Sequence, residues 1–561
     1  MGRLKPRARW LIAVCLTFAA LAPGARASAA QDASASAGKI RLDTVGYLPE
    51  HEKRATVAAA CGDFHVVRES DGRRVLRGKT SGPTHNKDTG EALCVADFSA
   101  VREPGVYRRE AVGAGASARF RVGPEVYEAP FAAAVRAMYL WRCGAEVRAE
   151  HGGVTYSHAA CHTEDAFLDF VGGGHTRRDA VGGWHDAGDY NKYVVNAGVT
   201  VGIMLRAWEE FGPAIRRVDL GLKDAQGPLP RYLAELKWEL DWLLKMQAAD
   251  GSVQHKVSTR DFGPMIQPEE EKTERYFTPW SSAATADFVA MTAQAARVFR
   301  PFDDAYARRC LEAARKSYAF LNAHAESHRA DLAGFTTGAY QTNDADDRLW
   351  AAAEMWETTG EALYLKDFET RARAFDKKLD FDWGWGDVKN LGMLTYLFST
   401  RAGRDAGLVR QVGDALTRTA DEIVAARDAH GYARPLGTKY YWGANGGVAN
   451  TTLVLRAANR IAPKAVYVET ALDAIHHLLG RNFYGRSFVT GVGDNPPLHP
   501  HDRRSVSQGE KPPWPGYLVG GGWPRATDWV DDWQNYRVNE IAINWNAPLI
   551  YALAGFLDTG R

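Results

Sequence analysis

The stretch Gly182-Gly183-Trp184-His185-Asp186-Ala187-Gly188-Asp189-Tyr190 carries more of the reading than any other part of the chain. It places two carboxylates close together in a run of glycines and aromatics. Small residues between acids let the backbone pass near a ligand while both side chains face one cleft. Aromatic neighbours supply flat apolar faces on which sugar rings stack, and they limit the water reaching the acids. Cleavage of a glycosidic bond needs such a pair, one carboxylate to activate water and another acid to protonate the leaving oxygen. Taken alone, an Asp-x-x-Asp pair more often caps a helix, here one running from about Tyr190. The flanking residues move the balance toward a site.

Two further stretches strengthen this. Asn539-Glu540-Ile541-Ala542-Ile543-Asn544-Trp545-Asn546-Ala547-Pro548 lies far downstream, and Ser487-Phe488-Val489-Thr490-Gly491 precedes Pro500-His501-Asp502-Arg503. Together, and in this order, the three resemble the motifs of glycoside hydrolase family 9, the inverting cellulases and their relatives. The resemblance covers roughly residues 125–561. It implies Asp189 as the base, Asp186 as the partner holding the same water, and Glu540 as the general acid. The alternative for Glu540 is an acid at a helix N-terminus, stabilised by the macrodipole. His501 and Arg503 are donors suited to sugar hydroxyls beside the scissile bond. Asp502 stands where the family usually has a second histidine, and is expected to change the hydrogen bonding there. Trp442, Tyr536 and Trp545 are candidate sugar platforms, each also at home in a core. Trp442 leads because Gly443, Gly446 and Gly447 surround it.

With 561 residues the chain suits a small module plus a large one, and 45% hydrophobic and 24% charged residues are ordinary globular values. A net charge of +1 gives no reason to expect nucleic acid or an anionic membrane as partner, and no protein partner is evident. Arg3, Lys5, Arg7 and Arg9 before the apolar run Trp10–Ala22 read as an export signal over residues 1–30, cleaved near Ala25-Arg26-Ala27. A retained anchor is the alternative. The mature enzyme is then expected in the periplasm or outside the cell, with residues 31–38 as a loose leader.

Residues 39–124 alternate strand-like runs with turn residues and suggest a small β-sandwich. Members of one family 9 subgroup carry an immunoglobulin-like domain here, and the Val-Gly-Tyr-Leu-Pro opening is similar. From about Tyr127 the period becomes helical: Leu233, Leu236, Leu240, Leu243 and Leu244 share one face. Comparable runs, Leu349–Thr359 and Glu540–Leu557 among them, predict about a dozen helices without strands. The resemblance implies that residues 125–561 form an all-α (α/α)6 barrel whose cleft is built from inter-helix loops. The chain stops just past the last helix, so no binding module is expected after it.

Cys61 and Cys94 are expected to form a disulfide after export, and Cys310 to be a buried thiol. Cys143, Cys161, His162 and His185 are the soft and borderline donors that tetrahedral Zn²⁺ prefers. Family 9 members with the immunoglobulin-like domain carry a structural zinc of this kind. A Cys143–Cys161 disulfide is the alternative, with His151, His158 and His175 as reserve ligands. Calcium is also common in the family. Asp346 and Asp347, from the acidic run Thr342–Asp347, with Asp387 at a distance, are candidate oxygen ligands, unless they only cap a helix.

The expected activity is endo-acting hydrolysis of β-1,4-glucans or cellodextrins. An exo-acting β-glucosaminidase or cellobiohydrolase-type enzyme on the same scaffold is the nearest alternative. A non-catalytic carbohydrate-binding protein is the alternative of another class, and it has no need of Glu540.

Overall fold

The computed structural model describes residues 38–111, 113–164, 166–222 and 228–557. The expected export signal and leader residues 31–37 lie outside them. Strands β1 (Ile40–Arg41), β3 (Arg54–Val57), β7 (Glu91–Asp97) and β6 (Ser81–Asn86) form one sheet. A second holds β2 (Gly46–Tyr47), β10 (Phe120–Val122), β8 (Gly105–Ala111), β4 (Asp63–Arg68) and β5 (Arg74–Lys79), with β9 (Gly115–Ala116) against β8. Between them lies a core of Tyr47, Val66, Phe98 and Phe120. The Tyr47 ring meets Phe98 and Phe120 edge-on at 5.1 and 5.6 Å, a favourable aromatic geometry. Cys61 and Cys94 are joined, as expected. Strand β6 is almost wholly exposed and polar, and only its backbone pairing with β7 makes it a strand.

Helices follow: α1 (Glu128–Leu140), α2 (Val194–Ile215), α3 (Arg231–Met246), α4 (Ser282–Phe299), α5 (Asp304–Ala323), α6 (Ala345–Thr359), α7 (Ala362–Ala374), α8 (Lys389–Phe398), α9 (Ala406–Asp428), α10 (Ala444–Ile461) and α11 (Ala465–Leu478). Short α12 (Arg503–Ser507) and α13 (Tyr536–Asn539) precede α14 (Ile543–Ala554). Helices α2, α4, α6 and α8 pack in succession, α10 packs on α14, and α14 returns to α2 to close an inner ring. The other long helices stand outside as hairpin partners, so the architecture is an (α/α)6 barrel. Sequence separates the two rings. Outer α9 buries Leu408, Val412, Ala415, Leu416, Thr419, Ala420 and Ile423, a single stripe at helical spacing. Inner α4 buries every residue but Arg297, which is why its sequence is mostly small and apolar. Both are capped at the start: Asp405 accepts from Leu408 N at 2.9 Å, and Ser281 from Ala284 N at 3.1 Å.

The barrel segment is not free of strands. Between α1 and α2 lie a hairpin, Val147–His151 with Val154–His158, and part of a five-stranded sheet that includes Ala166–Leu168, Gly174–Arg178 and Lys192–Tyr193. These strands are at most five residues long, so they leave no periodicity long enough to read.

The sandwich seats on the barrel through polar contacts. Thr44 N donates to Leu479 O at 3.0 Å, and Arg41 pairs with Glu91 at 3.0 Å while donating to the Tyr432 hydroxyl. Asp88, on the β6–β7 turn, meets His430 Nε2 at 3.1 Å and accepts from Tyr440 OH at 2.8 Å.

Inside the ring, Asp287 of α4 and Asp347 of α6 are fully buried and face each other. Burial raises both carboxyls well above the usual range, and Asp287, Asp346 and Asp344 add like charge around Asp347. In the fold the pair holds protons that the unfolded chain gives up above about pH 4. The pair's contribution to stability is therefore greatest at low pH and falls as pH rises from there toward the raised values. Asp347→Asn should weaken this dependence, since only Asp287 then remains to titrate, and should raise the melting temperature more at pH 8 than at pH 5. Melting curves at both pH values check it, and equal shifts at the two would refute it.

Candidate active site

Each inner helix begins at the same rim. The segments entering α2, α6, α8, α10 and α14 bring Asp186 and Asp189, Tyr340, Trp383 to Asp387, Trp442, and Glu540 to that rim. The N-terminal ends of these helices thus point their positive dipoles at one cleft. Main-chain contacts join the three sequence motifs. Ala187 bridges Ala542 and His501 bridges Glu540, while Ile543 N donates to Asp186 O at 2.9 Å and Arg503 N to Gly188 O at 3.1 Å. Gly188 has no substitute here, because a Cβ would lie 2.1 Å from His501 O.

The predicted helix from Tyr190 starts instead at Val194, and Asp186 and Asp189 do not cap it. Nor does a helix start at Glu540. Glu540 is extended, at φ −72° and ψ 161°, between α13 and α14, held there by the bridges to His501 and from Ile541 to Val519.

Asp186 is buried and accepts from Asn196 Nδ2 at 2.6 Å and from Tyr340 OH at 2.7 Å. Burial, with the charge of Asp189 added, pushes its carboxyl up to about 8. One oxygen of Asp189 accepts from Asn191 Nδ2 at 2.7 Å and Tyr193 OH at 3.2 Å. Glu540 is pushed well above the carboxylate range by burial first, then by Asp189 and Asp186. Trp442 Nε1, at 3.1 Å from Glu540 Oε2, offsets only part of this. The three carboxyls thus lie close enough for Asp189 and Asp186 to raise Glu540, and for Asp189 to raise Asp186.

Asn196, Tyr340, Asn191 and Tyr193 were not singled out in the sequence. Asn191 and Tyr193 stand two and four residues after Asp189, a weak local signal. Tyr340 gives none, although its φ of +44° places it in the left-handed region, a strain that the surrounding contacts hold in place.

Trp442 is 44% exposed, meets Tyr536 at 5.3 Å, and lines a groove of about 330 Å³ with Trp383, Trp385 and Trp545. Trp545 lies against Gly443, whose φ of +85° and missing side chain leave room for the indole. His501 donates from Nδ1 to Trp533 O at 2.6 Å, which leaves Nε2 without a protein partner among the described residues. Arg503 is used differently from the expectation. Its guanidinium donates to Gly188 O at 2.8 Å and to Gly263 O at 2.9 Å, so it clamps two loops.

Beside the cleft, Cys143, Cys161, His162 and His185 place one donor atom each within 4.8 Å of the others. Cys143 Sγ lies 3.7 Å from His162 Nδ1, and Cys161 Sγ 3.7 Å from His185 Nε2. Donors on a tetrahedral ion at thiolate and imidazole bond lengths stand about 3.3–3.8 Å apart, and both cysteine–histidine distances fit one. Both thiols are free. Burial alone would raise the Cys143 thiol, but the Cys161 hydrogen bond and the charges of Lys192, His185 and His162 bring it well below its usual range. Glu271 Oε2, 3.0 Å from His162 Nε2, orients that ring from behind. The reserve histidines are engaged elsewhere: His151 with Gly491 O, His158 with Ala159 O, and His175 stacked on Phe167.

The family model described as Glycosyl hydrolase family 9 matches residues 127–553, and that of the cellulase N-terminal ig-like domain matches 35–116. The chain belongs to glycosyl hydrolase family 9. It is 55% identical to Endoglucanase D of Acetivibrio thermocellus over 93% of this chain and 83% of that protein. Among solved structures it resembles a metagenome-derived glycoside hydrolase family 9 endoglucanase, with TM-score 0.87 and 33% identity over 92% of this chain and 98% of that one. It also resembles a Zn-binding triple mutant of a family 9 endoglucanase, with TM-score 0.85 and 35% identity over 91% and 99% of the two chains.

Two expectations drawn from the family 9 resemblance change. Asp502 does not face the sugar. It is fully buried, pairs with Arg504 at 3.0 Å, and caps α12 by accepting from Ser505 N at 3.1 Å. Its carboxylate is therefore taken up by Arg504 and by the start of α12. The calcium set does not assemble either. Asp346 accepts from Val388 N at 2.7 Å, Asp347 faces Asp287, and Asp387 pairs with Lys389. Among the described residues the only group of three or more His, Cys, Asp and Glu donors brought together is the cysteine–histidine set.

Proposed function

We propose that this family 9 chain is an endo-acting, inverting β-1,4-glucanase that works outside the cytoplasm. The convergence of Asp186, Asp189 and Glu540 beside a tryptophan-lined groove carries the reading. Asp189 takes a proton from the water attacking the anomeric carbon, and Asp186 holds that water. Glu540, kept protonated by its surroundings, gives its proton to the departing oxygen. His501 Nε2 and the faces of Trp442 and Trp545 hold the sugars. Similarity to Endoglucanase D supports cellulose-like chains as substrate. The Cys61–Cys94 disulfide supports an oxidising compartment. Cys143, Cys161, His162 and His185 hold a zinc ion in a structural role. The ion fixes the backbone at His185, next to Asp186, and takes no part in the reaction.

Proton NMR of a cellodextrin digest should show the α-anomer first, and carboxymethylcellulose should yield a spread of oligomers with early loss of viscosity. Initial release of the β-anomer would overturn inversion. Release of single residues from chain ends, or preference for chitosan oligomers, would favour the exo-acting alternatives.

A further inference from the structure

The groove of Trp383, Trp385, Trp442 and Trp545 lies on one side of the carboxyls, where α8 and α10 begin. Across the ring, beside the start of α2, Phe262 stands 51% exposed. A single exposed apolar residue is ordinary, but the loop carrying this one is anchored along its length. Thr259 N donates to Asn191 Oδ1 at 2.9 Å, Thr336 Oγ1 to Asp261 at 2.7 Å, and Tyr190 OH to Ile266 O at 2.6 Å. Gln267 Nε2 donates to Ser507 Oγ at 2.7 Å. The Arg503 guanidinium lies 5.8 Å from the Phe262 ring centre and reaches Gly188 O, next to Asp189, at 2.8 Å. Among the described residues it is the one ring or cation partner that Phe262 has.

We propose that Phe262 is a sugar-stacking platform on the side of the catalytic carboxyls away from the tryptophan groove. The ring lies 5.8 Å from the Arg503 guanidinium, which itself touches Gly188 O at 2.8 Å, and this sets it near the scissile bond. The loop anchors keep the ring in place before substrate arrives, so that stacking does not first have to order it. A glucan chain then crosses the barrel mouth from Trp385 past Glu540 and Asp189 to Phe262. This rests on the glucanase reading above.

Kinetics of Phe262→Ala, Phe262→Tyr and the unaltered enzyme on cellopentaose and on an aryl cellobioside separate the two ideas. Removing one aromatic contact of this size should raise KM for cellopentaose about three- to ten-fold, with kcat nearly unchanged. It should also shift cleavage away from bonds that place a sugar over residue 262. Phe262→Tyr should restore both. Unchanged KM and cleavage pattern in the alanine variant, with melting temperature retained, would overturn the platform and leave the glucanase reading intact. A tyrosine variant as impaired as alanine would also overturn it. If the unaltered enzyme cleaves neither substrate, it is the glucanase reading that fails.

Discussion

Glu540→Gln should lower turnover on cellodextrins by about 10² to 10⁴-fold, the usual contribution of general acid catalysis. Glutamine keeps the shape and the hydrogen bond from Trp442 but has no proton to give. The loss should shrink on aryl cellobiosides with acidic leaving groups, because those depart without protonation. The pH profile supplies a second reading. The carboxyl is raised by burial and by Asp189 and Asp186, so the alkaline limb of kcat/KM reports the proton on Glu540. That limb should vanish in the variant. Asp189→Asn should be equally slow on both substrate types, since attack by water precedes any question of the leaving group. A Glu540→Gln enzyme within a few-fold of the original on cellodextrins would remove this residue from the acid role.

Cys161→Ser should abolish metal binding and destabilise the fold by about 3–5 kcal/mol, the range in which lost metal sites and uncompensated buried groups fall. Elemental analysis should find one zinc per unaltered chain and none in the variant. A chelator should lower the melting temperature of the unaltered enzyme and leave that of the variant unchanged. Activity should fall with the metal, because His185 adjoins Asp186 and the His185 N–H to Trp141 O bond of 2.8 Å anchors the same turn. Peptide mapping that links Cys143 to Cys161 in the active enzyme would sink the assignment.

What the sequence made legible was local chemistry. Asp186, Asp189 and Glu540 stand out because their neighbours Gly188, Trp184 and Trp545 are themselves required by close packing. The paired cysteines and histidines stand out because few other arrangements use those residue types. Tyr340 and Asn196 stayed hidden, since their role exists only once α2 and α6 lie side by side. The acidic run failed for a geometric reason. Neighbours on a helix, such as Asp346 and Asp347, point about 100° apart and do not share a ligand. Asp502 was misread because its place in the motif suggested the cleft, whereas the helix starting at Arg503 needed a cap. Arg503 looked like a free donor until its partners, two carbonyls on distant loops, were in view.

The contacts that join Ala187 to Ala542 and Asp186 to Ile543 bind the first inner helix to the last. They are among the most non-local contacts in the chain, and closing so long a loop is entropically late in folding. Asp189 emerges early from the ribosome and Glu540 near the end of the segment. A chain synthesised only in part cannot hold both, and the carboxyls are brought together by closure of the ring. Return of activity after denaturation thus reports completion of the tertiary structure, more strictly than helix content does.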